Sequence, residues 1–220
     1  MADLFDPFCE RISDDWLWRE KELRDVDARL FRSSATIDIK TGILIAYSHW
    51  EGHFKKCASE LLDFISEGVR RKIFKWTEVR NDVRQRLLFC SYRRSSLSGQ
   101  THETFISYLN ALNDSKYAVA LSAREEIILV DDNLNTLRAE AICRNLGVDP
   151  AWCALKKVII DERIVEYRNA IAHGSRRLRS GDEIDFTRPE LLDAIDEAKG
   201  LIREAKNRFE NAIVTREFLA

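Results

Sequence analysis

Arg168, Asn169 and His173 fall within one short stretch, EYRNAIAHG (166–174). An arginine offers phosphate a planar two-pronged fork, a histidine moves a proton near neutral pH, and an asparagine orients a partner or a hydroxyl. Together they suit phosphodiester chemistry. Directly downstream, Ser175-Arg-Arg-Leu-Arg179 adds Arg176, Arg177 and Arg179, enough local charge to hold an RNA backbone. The whole chain supplies no such field, since its formal net charge is −2, so any polyanion site must be local.

A helix must position these groups. Asp149-Pro150 reads as an N-cap followed by a first-turn proline, opening a helix over 151–172 that Gly174 closes as the residue past its end. At ~100° per residue, Ile160, Ile164, Tyr167 and Ile171 line one face, assigned to the subunit core. Arg168, Asn169 and His173 lie on the opposite sector, interleaved with Val158, Val165 and Ala172 as a second apolar strip. A lone subunit has no use for that strip. A second copy packed there by a two-fold axis would make a homodimer with a composite active site. His173, in the last turn, is placed to swing toward Arg168 despite the nominal ~140° between them, and the negative end of the helix favours its charged form.

A second cluster is HWEGHFK, His49 to Lys55. Glu51 and Lys55 form an i,i+4 pair of the ordinary helix-stabilising kind, and Glu51 is placed to reach across and orient Arg168. His49 and His53 share a face, which invites a zinc reading. The acid, however, sits one place later than in HExxH, and no third ligand is evident. They are read as boundary or solvent-facing histidines, and no metal or cofactor is expected. Trp16, Trp18, Trp50, Trp76 and Trp152 are read as core anchors rather than base-stacking platforms. Arg70-Arg71-Lys72 and Arg93-Arg94 are read as solvated helix ends.

The elements around these motifs are helical. Hydrophobic residues make up 45% and charged residues 33% of 220 positions, with only 8 Gly and 3 Pro, a turn-poor composition that favours a bundle. Apolar residues at helical spacing predict helices over 8–31, from Gly42 through Ile65, over 76–94 and near 103–112. Asp132 or Asn133 is placed to cap a helix over 134–146 that Gly147 ends, and Thr187-Arg-Pro-Glu190 forms a capping box for the last helix, striped by Leu191, Ile195, Ala198, Ile202, Ala205 and Phe209. YAVAL (117–121) and IILV (127–130) read equally as strand, loop or helix end, so 115–131 stays open. Five cysteines without CxxC spacing predict reduced core thiols in a cytoplasmic protein. No apolar run approaches the ~18 residues of a membrane span. One domain over 1–220 is expected, with neither repeat nor linker.

The pattern Arg168-Asn169-Ala-Ile-Ala-His173 resembles the RNxxxH signature of the HEPN superfamily, and HWEGHFK resembles the second-helix motif of its RiboL-PSP-type bacterial branch. The likeness spans roughly 40–175. It implies an all-α, HEPN-like helical bundle with long antiparallel helices. It further implies a metal-independent endoribonuclease, usually homodimeric, in which a 2′-hydroxyl attacks the adjacent phosphate to leave a 2′,3′-cyclic phosphate and a 5′-hydroxyl. By position, Arg168 would stabilise the phosphorane, His173 would donate or accept a proton, and Asn169 would position the scissile group. Glu51 would join the catalytic set, and Lys55 with Arg176, Arg177 and Arg179 would bind RNA. Such proteins act as toxins or antiviral effectors, with an antitoxin or defence-system partner. HEPN toxins that a nucleotidyltransferase modifies carry a tyrosine two places after the histidine, where this chain has Ser175. The alternative is a catalytically idle helical module that binds RNA, a nucleotide or a partner protein.

Overall fold

The computed structural model describes residues 6–32, 36–97, 102–114, 124–128, 133–175 and 188–220. These form an all-α fold in which the only β pairing, among the described residues, is a single antiparallel bridge between Val79 and Leu219. Three long helices make the frame: α1 (Asp6–Arg32), α2 (Thr36–Arg70) and α9 (Arg188–Thr215). Only three residues separate α1 from α2, so the chain folds back on itself. Leu30 accordingly meets Gly42, Asp15 meets His53 and Arg11 meets Glu60, an antiparallel register. Helix α9 runs parallel to α2, with Leu191 beside Gly42 and Phe209 beside Phe54, and antiparallel to α1.

The predicted stripes explain this packing. Ile43, Tyr47, Trp50, Phe54, Cys57, Ala58, Leu61 and Ile65 of α2 are all buried, as are Leu191, Ile195, Ala198, Ile202, Ala205 and Phe209 of α9. Trp50, Phe54 and Trp152 meet with ring centroids 5.1–6.2 Å apart, joining the frame to the motif helix. Truncating Phe54 to Ala would cost about 3–5 kcal/mol. Of the five tryptophans Trp50, Trp76 and Trp152 are buried, Trp16 is half-buried against the core, and Trp18 is 48% exposed beside His49.

Shorter helices flank the frame: α3 (Asn81–Leu97), α4 (His102–Ala111), α5 (Arg124–Ile128), α6 (Thr136–Leu146), α7 (Ala151–Leu155) and α8 (Glu166–Ala172). Trp76 lies in a 3-10 turn (Trp76–Glu78) ahead of α3, so that helix starts later than its apolar spacing suggests. Ile127 and Ile128 resolve as buried helix in α5, while 117–121 and 129–130 lie outside the described residues. Helix α6 is capped by Asn135, whose side chain accepts from the Arg138 N–H, and it ends at Gly147 with φ 77°. The cap is therefore Asn135 rather than Asp132 or Asn133, which leaves Asn133 for another task. Of the expected capping box over 187–190, Thr187 lies outside the described residues. The five cysteines are free thiols. No helix among the described residues is long and apolar enough to cross a membrane.

Candidate active site

The single helix expected over 151–172 is three pieces. The Asp149 carboxylate accepts from the Ala151 N–H at 3.0 Å and starts α7, with Pro150 rather than Asp149 at the cap position. Helix α7 stops at Leu155, and Val158–Val165 is then wound as a π-helix before α8 resumes ordinary winding. Hydrogen bonds from i to i+5 turn the chain less per residue than an α-helix does, so the face assigned at ~100° per residue drifts. Ile160 and Ile164 are buried as predicted, and Tyr167 and Ile171 pack half-buried on the core. Val165 turns inward and joins the core, whereas Val158 and Ala172 stay exposed. The second apolar strip is thus shorter than the spacing predicts.

Winding also ties this helix to α6. The Asp161 carboxylate, inside the π-wound run, accepts from the Thr136 N–H at 2.7 Å and so holds the turn that carries Asn133 and Leu134. On that turn and on α2 stand the groups that meet Arg168. Its guanidinium lies over the Tyr47 ring, 4.9 Å from the centroid, and its Nη1 donates to Asn169 Oδ1 at 2.9 Å. Asn133 Nδ2 donates to the same oxygen at 3.0 Å. Tyr47 Oη accepts from the Leu134 N–H at 3.1 Å and donates to Asn133 Oδ1 at 3.3 Å. Four side chains from three elements thereby close a ring.

Charge within this ring is arranged to hold a cation. Burial pushes the Tyr47 phenol well above its ordinary value of 10, and the negative Glu51 carboxylate beside it pushes the same way. The Leu134 N–H and the Arg168 charge pull against them and lose. Tyr47 therefore stays a neutral phenol under a guanidinium. Glu51 Oε1 accepts from Lys55 Nζ at 2.7 Å. Glu51 and Arg168 are brought to the same tyrosine, one as a negative neighbour of the phenol and the other over its ring face.

His173 caps α8 in an exposed position, one turn past Asn169, whose carbonyl accepts its N–H at 3.0 Å. Beyond it the chain reverses through Gly174 at φ 66°, with Ser175 N–H bonded to the Ala170 carbonyl and Gly174 N–H to the Ile171 carbonyl. That double closure needs a left-handed residue, and glycine supplies it without steric penalty. Arg176, Arg177 and Arg179 lie outside the described residues.

A protein-family model, RiboL-PSP-HEPN, matches residues 14–211. The chain belongs to that family. No curated protein and no solved structure matches it. Membership of a HEPN family points to a nuclease-type or RNA-related role.

The HEPN chain divides the labour of HWEGHFK between two sides of α2. Glu51 and Lys55 face the Arg168 side, while His49 and His53 face α1 and are buried, not at a boundary or in solvent as the sequence suggested. The reason is a polar seam. His53 Nδ1 stands 2.7 Å from Asp15 Oδ2, its Nε2 is 3.3 Å from Cys57 Sγ, and Arg19 binds both Asp15 and His49. Glu22 Oε2 lies 3.2 Å from His49 Nε2 but off the line of a hydrogen bond, leaving that nitrogen unsatisfied. Gly52 makes room for the seam, since a Cβ there would lie 2.7 Å from Arg19 Nη1. Sequence reasoning missed two members of the HEPN ring. The apolar spacing places Tyr47 in the core stripe although it lies one turn before Glu51, and the local pattern marks Asn133 only as a cap. The i,i+4 spacing of Tyr47 and Glu51 was the available signal for the first. Nothing local marked the second.

Proposed function

We propose that this HEPN protein is a metal-independent endoribonuclease, serving as a toxin or an antiviral-defence effector. One observation carries the reading: a guanidinium is held half-buried on a tyrosine ring, one residue from an amide and close along the helix to an exposed histidine. Arg168 has five N–H donors and gives one to Asn169, so a fork remains for phosphate. The 2′-hydroxyl of the substrate attacks the adjacent phosphorus, the 5′-oxygen leaves, and the products are a 2′,3′-cyclic phosphate and a 5′-hydroxyl. Arg168 neutralises the phosphorane oxygens, His173 donates or accepts the travelling proton, and Asn169 orients the scissile group. Glu51 restrains the platform beneath Arg168, and Lys55 with Arg176, Arg177 and Arg179 follows the RNA backbone. Two copies of α8 facing each other would complete the cleft.

Purified protein is expected to cleave RNA in excess EDTA and leave cyclic-phosphate ends. Losing one donor to the developing charge costs about 10²–10³ in kcat, so Arg168→Ala and His173→Ala should lose cleavage while keeping their thermal midpoints. Wild-type cleavage by either variant would end the assignment. The hydrogen bond that ties Arg168 to Asn169 favours a second reading, an idle module that binds RNA, a nucleotide or a partner protein. That reading requires equal toxicity of wild type and His173→Ala on expression in cells.

A further inference from the structure

The direction of every hydrogen bond in the ring follows from Arg168. A guanidinium only donates, so the Asn169 atom facing Nη1 at 2.9 Å must be its carbonyl oxygen. The Asn133 atom facing that same oxygen at 3.0 Å must then be a donor, Nδ2, which turns Asn133 Oδ1 toward Tyr47. Tyr47 Oη, already accepting from Leu134, meets Asn133 as a donor. With Oδ1 of Asn169 committed twice, its Nδ2 is the end of the amide turned away from the ring. Arg168 and Asn169 thus present donors together, the arrangement a phosphoryl oxygen needs and a hydroxyl proton does not.

We infer that Asn133 and Tyr47 are positioning residues that fix Asn169 as a hydrogen-bond donor to a phosphoryl oxygen, alongside the Arg168 fork. The inference rests on the ribonuclease reading above for the identity of that oxygen, but the side-chain order it describes is measurable without RNA. Asn133 is exposed, so replacing it leaves the core intact. Asn133→Ala frees the Asn169 amide to rotate and is expected to lower kcat about tenfold with KM little changed. Asn133→Asp, although nearer in size, is expected to be worse, because a carboxylate facing Asn169 Oδ1 repels it and draws Nδ2 inward, turning an acceptor toward the phosphate. A merely structural role predicts the reverse order. In an Asn169→Ala background, Asn133→Ala should add no further loss.

The test pairs these kinetics with NMR of the Arg168 Nε–H signal, assigned through Arg168→Lys and shifted upfield by the Tyr47 ring. Loss of that shift in Asn133→Ala, together with the kinetic order Asp below Ala below wild type, supports the inference. An unmoved Arg168 signal, or RNA cleavage by both Asn133 variants at the wild-type rate, overturns it. If the signal moves but the wild-type protein cleaves no RNA, positioning stands and the ribonuclease reading falls.

Discussion

At Arg168 the shape of the side chain, beyond its charge, decides which contacts it makes. Lysine at this position keeps the cation but loses both the flat face that stacks on Tyr47 and the fork that reaches Asn169. Arg168→Lys is therefore expected to retain RNA binding within a fewfold while kcat falls by about 10² or more; steady-state cleavage of a short RNA, with kcat and KM resolved separately, checks this. Tyr47→Phe separates the two supports, keeping the ring and deleting the hydroxyl. The closeness of Arg168, Asn169 and His173 was legible from the sequence because all three lie on one turn and a half of one helix. Tyr47 and Asn133 were not, because their partners are 86 and 36 residues away and only the packed bundle joins them.

Helices were legible where period and caps agree: Gly147 ends α6 in the left-handed region, and the stripes of α2 and α9 are buried throughout. The π-wound run was not legible, since VIIDERIV carries an ordinary α-helical pattern and its winding answers to Asp161 reaching α6. That winding aims Arg168. Deleting the exposed Glu162 is expected to turn everything after it, by less than the ~100° of an α-helical residue, taking Arg168 off Tyr47 and lowering kcat about 10²-fold, while circular dichroism stays helical. A folded deletion variant that cleaves normally would show that the winding is not what aims it. The α1–α2 seam carries a prediction of its own. Burial would raise Asp15, but hydrogen bonds from His53 and Arg19 hold it at about 2, below its ordinary 3.8. Burial also holds His49 and His53 below 6.5. All three lowered groups bind fewer protons folded than unfolded, so their contribution is complete above pH 6.5 and is lost as pH falls. The histidines lose theirs first, below 6.5, and Asp15 loses about 1–2 kcal/mol, after solvent screening, between 3.8 and about 2. Thermal midpoints should decline from pH 6.5 downward, and His53→Gln should flatten the upper part of that decline.

At the scale of the molecule, the three-helix frame buries the core but leaves Phe31, Ile37 and Val214 exposed along it, and further apolar surface lies on the flanking elements. Leu155 is 84% exposed, Leu137 72% and Val158 54%, on α7, α6 and the π-wound run; α6 packs on α7, and the π-wound run leads directly into α8, which carries Arg168. A second apolar face, with Phe89 and Leu109 exposed, lies between α3 and α4, remote in sequence from the motif. The composite cleft proposed above requires a homodimer on the motif-helix side, the first face, whereas a dimer through the second would leave each site alone. A stable interface buries about 1,200–2,000 Å² in total, and one charge at its centre is enough to open it. For the proposed homodimeric ribonuclease, Leu155→Glu is expected to give monomers in sedimentation velocity and to abolish RNA cleavage with an unchanged thermal midpoint. Phe89→Glu should alter neither. If Leu155→Glu yields active monomers, one subunit carries a complete site and the composite cleft is wrong; if Phe89→Glu splits the dimer instead, the two copies meet away from Arg168 and His173 must find its arginine within its own chain.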